Sequence, residues 1–217
     1  MAITKVFINS DDSEFYNFLS EYAIPYFDSI VDSSSQITCK IGDDLAYIYN
    51  KTNGNNERHY FSTKSGSHIA LSGNKPSYAV ATSKGILIHC DVSYDSPTDI
   101  FISKTSSGSV GFAVLSVYYG GGYYYQNFYC YDFDNTPYMN YYISNNSNTS
   151  NYCFTILSPL RSNVQETSFA CIPCIYTDSH LDSVYQLVAN QYYNVAGTIT
   201  DSDGHKYFTN GCLALAE

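Results

Sequence analysis

Cys171 and Cys174 form a CxxC, the spacing at which a tight turn brings two sulfurs together to hold a zinc ion or to cycle between dithiol and disulfide. Zinc would need further ligands, and the sequence has neither a second CxxC nor a His pair at finger spacing. The segment also reads as a strand, on which residues three apart point to opposite faces. No metal, redox centre or other cofactor is therefore expected. His59, His68, His89, His180 and His205 could each serve a Ser or Cys nucleophile as base, but none lies in a recognisable local signature. Asp91, two residues from His89 on the same strand face, could orient that imidazole; the plainer reading is an ordinary solvated face. Acidic pairs at Asp43 and Asp44, Asp132 and Asp134, and Asp201 and Asp203 resemble pieces of calcium loops, yet none completes an EF-hand ligand set. Turn capping accounts for them, with weak ion binding at a subunit contact as the alternative.

What the chain holds in quantity is tyrosine: 24 Tyr and 12 Phe, with no Trp, among 217 residues. They crowd between Tyr118 and Tyr142, among Gly, Asn and Asp. Tyrosine joins a large apolar face to one polar end, so it lines surfaces that are half buried, wetted or covered by another protein. Tyr129, Tyr131 and Phe133 alternate with Phe128, Cys130 and Asp132, which gives one strand an all-aromatic face. Before them, Gly120 to Gly122 followed by Tyr123, Tyr124 and Tyr125 reads as a flexible turn carrying exposed rings. With Tyr118 and Tyr119, these residues form the candidate binding surface; the competing reading is a sheet face packed on its own core.

Charged residues make up 14% of the chain, against about a quarter in an average protein. Ser, Asn, Thr and Tyr carry the polarity instead, which suits a chain that sits in an assembly, where every buried charge needs a partner. The net charge of -10 repels phosphate backbones and anionic lipid heads, so nucleic-acid and membrane-surface binding are not expected. No apolar run reaches the roughly 20 residues that span a bilayer, and the N-terminus lacks a basic segment followed by an apolar one. Synthesis and folding in a cytoplasm follow, with most of the seven cysteines small, buried and reduced.

These residues must be positioned by a mainly β fold. Asp11 with Glu14 has the form of a helix start, and Phe15, Phe18, Leu19 and Tyr22 then fall on one helix face, before Pro25 ends the run. That stripe is either core or an anchor for a partner. From Gln36 the period becomes two, with Ile37, Cys39 and Ile41 on one side, a turn at Gly42 and Asp43, and Leu45, Tyr47 and Tyr49 alternating on the return. Asn53 to Glu57 reads as a loop. Turn signals recur at Lys64 to Ser67, Ser83 to Gly85 and Lys104 to Ser109. After Gly85, Ile86, Ile88, Cys90 and Val92 face the core while Leu87, His89 and Asp91 face a mostly wet side. Ser144 to Asn151, built of Ser, Asn and Thr, reads as an exposed loop and a boundary. Strands follow at Tyr152 to Leu157, Ser168 to Tyr176, Tyr192 to Thr200 and Lys206 to Ala214, with Leu181 to Val188 open to either reading. The expected architecture is an antiparallel β-sandwich or barrel-like meander with a short N-terminal helix. It divides into a strand and helix over 1–35, a meander over 36–143 and strands over 152–217 packed with it as one body.

Two stretches carry a resemblance: "YAIPYFDSIVDSSSQITCKIG" from Tyr22 to Gly42 and "TITDSDGHKYFTNGCLAL" from Thr198 to Leu215. Together they resemble uncharacterised, tail-gene-linked virion-associated proteins of phages and prophages of Firmicutes. The resemblance covers about a quarter of the chain, at its two ends, and implies a structural component of a phage particle. It brings no catalytic residue. The expectation is a non-enzymatic virion protein of tail, baseplate, fibre or head decoration, made in the bacterial host cytoplasm. It would touch other virion proteins and copies of itself. The alternative is a module whose tyrosine surface engages a host glycan or surface protein.

Overall fold

The computed structural model describes residues 3–52, 58–66, 68–71, 75–90, 98–104, 108–120, 123–134, 139–145, 197–200, 206–209 and 214–216. The elements are β1 (Thr4–Phe7), α1 (Asp12–Tyr22), β2 (Ser29–Asp32), β3 (Gln36–Ile41), β4 (Asp44–Asn50), β5 (His59–Ser62), β6 (His68–Leu71), β7 (Pro76–Ala81) and β8 (Gly85–Cys90). They continue with β9 (Thr98–Lys104), β10 (Val110–Gly120), β11 (Tyr123–Asp132), β12 (Met139–Asn145), β13 (Gly197–Thr200), β14 (Lys206–Thr209) and β15 (Ala214–Ala216). All the pairings are antiparallel. The fold is thus mainly β with one short helix, as the periodicity predicts. Its sheets are open: seven strands in the order β1-β7-β8-β9-β10-β11-β12, five in the order β2 to β6, and three in the order β13 to β15. That makes it a sandwich of meanders and not a closed barrel.

The N-terminal segment is split between layers. β1 pairs with β7 and so joins the seven-stranded sheet, whereas β2 pairs with β3 in the five-stranded one. Between them Asn9 and Ser10 turn through left-handed backbone, with φ of 49° and 64°. Asp11 then caps α1, its Oδ1 accepting from the Ser13 and Glu14 amides at 2.8 and 3.4 Å. The expected reciprocal half of the capping box is replaced, because the Asp11 amide donates to the Ile8 carbonyl at 2.8 Å. The helix stops at Tyr22, before Pro25. Phe15, Phe18 and Leu19 are buried and Tyr22 packs against them from the edge of the core, so the candidate anchor is used as core.

The β3–β4 hairpin forms with Gly42 at φ 59°, the left-handed backbone that glycine adopts without strain. Ile37 and Cys39 face inward as expected. Leu45 does not join Tyr47 and Tyr49: the register steps from Cys39↔Tyr47 to Lys40↔Leu45, leaving Ala46 as the extra residue of a bulge. Ala46 is buried and Leu45 is 40% exposed, so the bulge reverses the alternation the residue types predict.

Helix α1 and the five-stranded sheet cover the inner face of the seven-stranded sheet. Phe15 meets Tyr49 edge-on at 5.0 Å, and Phe61 meets Phe112 across the layers at 5.2 Å. From the seven-stranded sheet Ala79, Ala81, Ile86, Ile88, Ile100 and Ile102 enter this core. The other face departs from the expected wet side, since Val80, Leu87 and Phe101 are fully buried there. Phe208 and Leu215 from the three-stranded sheet are buried too; Leu215 reaches Gly85, and Phe208 meets Tyr78 at 6.3 Å. The central strands therefore have two apolar faces because a third layer lies on the second one. The final expected strand, Lys206 to Ala214, is divided: Lys206–Thr209 forms β14, and Ala214 belongs to β15, which pairs back on it. Ser144 and Asn145, expected in a loop, end β12 in register with Tyr125 and Tyr124. No helix among the described residues is long and apolar enough to cross a membrane.

Candidate functional site

Among the described residues His59 and His89 carry polar contacts, on opposite faces of the seven-stranded sheet. His59 on β5 is fully buried between the two large sheets. The Tyr47 hydroxyl of β4 lies 2.8 Å from its Nδ1, and Cys90 Sγ of β8 lies 3.4 Å from its Nε2. The Tyr47 and Tyr49 rings flank the imidazole at centroid distances of 6.1 and 5.3 Å. A thiol beside an imidazole is the pair from which thiolate catalysis is built, but that chemistry needs a stabilised anion and access to substrate. Here burial pushes the Cys90 thiol well up, the Asp99 carboxylate adds to the rise, and Arg58 opposes it. Burial likewise raises the Tyr47 phenol, with smaller contributions from Cys90, Cys39 and Tyr49. Both partners of the ring stay protonated and neutral, so the cluster works as a polar clamp between layers.

His89 on β8 finds its carboxylate across the sheet. Asp99 of β9, opposite it in register, places Oδ1 2.7 Å from His89 Nδ1. Both side chains are mostly buried, at 15% and 5% exposure, and Tyr78 of β7 stacks on the imidazole at 4.5 Å. Asp91, the partner expected from sequence spacing, lies outside the described residues. The arrangement supplies a base and its orienting acid, two of the three parts of a nucleophilic triad. The nearby Ser77 hydroxyl instead donates to the His89 backbone carbonyl at 3.3 Å, so it is engaged as a strand-to-strand link. Beside this pair, Lys5 Nζ sits 4.0 Å from the Tyr78 ring centroid, 4.9 Å from that of Phe7 and 5.7 Å from that of Phe208. Partial burial lowers the Lys5 ammonium below its ordinary value. The cation ties β1, β7 and β14 together.

A third polar cluster, which the residue types alone do not reveal, holds the helix. Asp12 in the first turn of α1 accepts from the Tyr49 hydroxyl at 2.8 Å and from Lys75 Nζ at 2.9 Å. Its carboxylate also suits the positive end of the helix dipole.

The aromatic band is described by its backbone and register. β10 and β11 form a long hairpin in which Tyr118 opposes Tyr125, Tyr119 opposes Tyr124 and Gly120 opposes Tyr123. Tyr129 and Tyr131 oppose Val114 and Phe112. The register of β10 with β9 ends at Ser116↔Thr98, so among the described residues Val117 to Gly120 pair only with β11. Five of the band's tyrosines, Tyr118, Tyr119, Tyr123, Tyr124 and Tyr125, thus share the end of a hairpin that runs on past β9. Phe133 is a correction: at 2% exposure it belongs to the core and offers no surface. Its amide donates to the Val110 carbonyl and its carbonyl accepts from Lys64, which tucks the end of β11 under the β5–β6 turn.

Cys171, Cys174, His180, His205, Asp201 and Asp203 lie outside the described residues, as do the loop at 53–57 and the strands expected at 152–157 and 168–176. His68 is placed by backbone, opposite Ser62. Asp43 and Asp44 stand at the Gly42 turn, Asp132 opposes Gly111, and Asp134 forms a long 3.9 Å ion pair with Lys64. Among the described residues no three His, Cys, Asp or Glu side chains converge as a metal set would require. No protein-family model, curated protein or solved structure matches this chain.

Proposed function

We propose that this chain is a structural component of a phage virion, in tail, baseplate, fibre or head decoration, acting through contacts with other virion proteins and with copies of itself. One observation carries the reading: the described groups best suited to chemistry are engaged in holding strands and layers together. His59 and Cys90 close on each other inside the core, while His89 and Asp99 close on each other under Tyr78. Among the described residues Phe7, Ile24, Val31 and Leu45 are large apolar side chains left exposed, which suits contact with other chains. No catalytic role is proposed. The test is co-purification: density-gradient fractions of phage particles should carry this chain at constant ratio to the major structural proteins. Particles free of it would end the proposal.

The tyrosine hairpin favours a second reading, a receptor- or carbohydrate-binding module. A strand pair whose β10 edge continues beyond β9, with Tyr118, Tyr119, Tyr123, Tyr124 and Tyr125 at its end, is a segment without charge. Rings in such a segment stack on sugar faces. Glycan-array binding that disappears in the Tyr123→Ala, Tyr125→Ala double variant, with the circular dichroism spectrum unchanged, would favour this reading. Binding that persists in the variant would remove the hairpin as its site.

A further inference from the structure

We infer that His59 is an acid-sensitive latch between the two large sheets: neutral, with its proton on Nε2, it ties β4 and β5 to β8, and adding a second proton unlocks that contact. The ring touches Tyr47 on one nitrogen and Cys90 on the other, at 2.8 and 3.4 Å, inside a site with no solvent exposure. A neutral imidazole offers one acceptor and one donor. The phenol is a stronger donor than the thiol, so the Tyr47 hydroxyl gives its proton to Nδ1 and the Nε2 proton faces the soft sulfur of Cys90. In the charged ring both nitrogens would donate. Tyr47 would then have to turn its hydroxyl away and leave that proton without its present acceptor, in surroundings where water cannot substitute.

The neighbouring charges set the balance. On β4 stand Tyr47 and Tyr49, on β3 Cys39, and on β8 Cys90; their hydroxyls and thiols are neutral, since burial raises each of them. The Arg58 guanidinium, next to His59 in sequence, lies 6.0 Å from the Tyr49 ring and disfavours added positive charge. The Asp99 carboxylate, which acts on Cys90, pulls the other way but is engaged with His89. Asp12 reaches the cluster through the Tyr49 hydroxyl. Desolvation of a wholly buried cation outweighs these indirect attractions.

The sign follows. The unfolded chain's imidazole takes up a proton around pH 6.5, whereas the folded ring stays neutral, so the unfolded state binds more protons and acid favours it. Stability is therefore fully present above about pH 6.5 and is lost as pH falls below it, by up to tenfold in the folding equilibrium per pH unit. The test is urea unfolding between about pH 7.5 and pH 5, a window in which most carboxylates remain ionised. The wild-type folding constant should fall across that range, and His59→Gln should remove most of the fall. An equal pH slope in the variant would overturn the latch. Should the variant not fold, nitrogen-detected NMR of labelled histidine in the wild-type protein decides: a neutral ring protonated on Nε2 at pH 5.5 in the folded state supports the latch, and a charged ring or the Nδ1–H tautomer overturns it.

Discussion

Gly85 provides the sharpest test of the three-layer packing. A Cβ placed there would lie 2.7 Å from the Ile102 carbonyl oxygen, 3.0 Å from Leu215 Cδ1 and 3.1 Å from Ser103 Cβ. The first contact is with the backbone of β9, which is locked in the ladder by the Gly85↔Ser103 and Ile86↔Ile102 pairings. Two effects oppose each other in Gly85→Ala. The backbone is not in the left-handed region, so alanine gains about 0.4–1 kcal/mol by restricting the unfolded chain. Overpacking a fixed neighbour costs about 1–3 kcal/mol, and here the neighbour is a carbonyl that cannot swing away. The net expectation is a loss of about 1–2 kcal/mol, or a fall in Tm of about 2–8 °C for a chain of this size. Thermal melting followed by circular dichroism reads it directly. Leu215→Ala should cost about 2–5 kcal/mol on its own, and in its background Gly85→Ala should be milder, because one of the clashing atoms is gone. A Gly85→Ala variant as stable as the wild type would refute the close approach of β9 to Gly85, and costs that simply add in the double variant would refute the seating of β15 on β8.

Cys39 and Cys90 are buried with thiols pushed well up by desolvation, so peptide mapping after iodoacetamide treatment at pH 8 should find both unmodified in the native protein and modified after denaturation. Burial pushes the Tyr26 phenol up to about 12 and raises Tyr47 and Tyr49 as well; unfolded tyrosine ionises near 10. The folded state thus holds these protons more tightly, stability is present below about pH 10 and lost as pH rises past it, and phenolate absorbance should jump together with loss of the circular dichroism signal. Complete phenolate formation with the spectrum intact would contradict this. Asp11→Ala removes the acceptor for the Ser13 and Glu14 amides and should lower stability by about 1 kcal/mol in urea titration, with Asp11→Asn recovering most of it.

The features legible in the sequence are the local ones. Asp11 and Pro25 bracket the helix because capping and proline geometry act within a few residues. Gly42 marks its hairpin because a left-handed turn selects glycine. Other features are set by distant partners. Leu87 looks like an ordinary member of an alternating strand; only the three-stranded sheet, supplied from the far end of the chain, makes its face a second core. Leu45 leaves the core because one bulge at Ala46 shifts the register, and no residue type announces that shift. The His89–Asp99 pair depends in the same way on register across ten positions, while the same-strand spacing draws attention to Asp91. Pairing β8 with β9 in antiparallel register, Gly85 with Ser103 at one end and Cys90 with Thr98 at the other, is the signal that finds it. Phe133 continues the spacing of Tyr129 and Tyr131, and its amide hydrogen bond to the Val110 carbonyl keeps it on the face of Val110, Phe112 and Val114, which the other layer covers and which residue type alone does not announce.

Immunogold electron microscopy of purified particles, using an antibody to this chain, tests the proposed virion role most directly. Gold is expected at regular positions on intact particles, clustered at the tail end for a tail, baseplate or fibre component and spread over the head for a decoration. Intact particles without label, with the chain recovered only in the soluble fraction of the lysate, would contradict it.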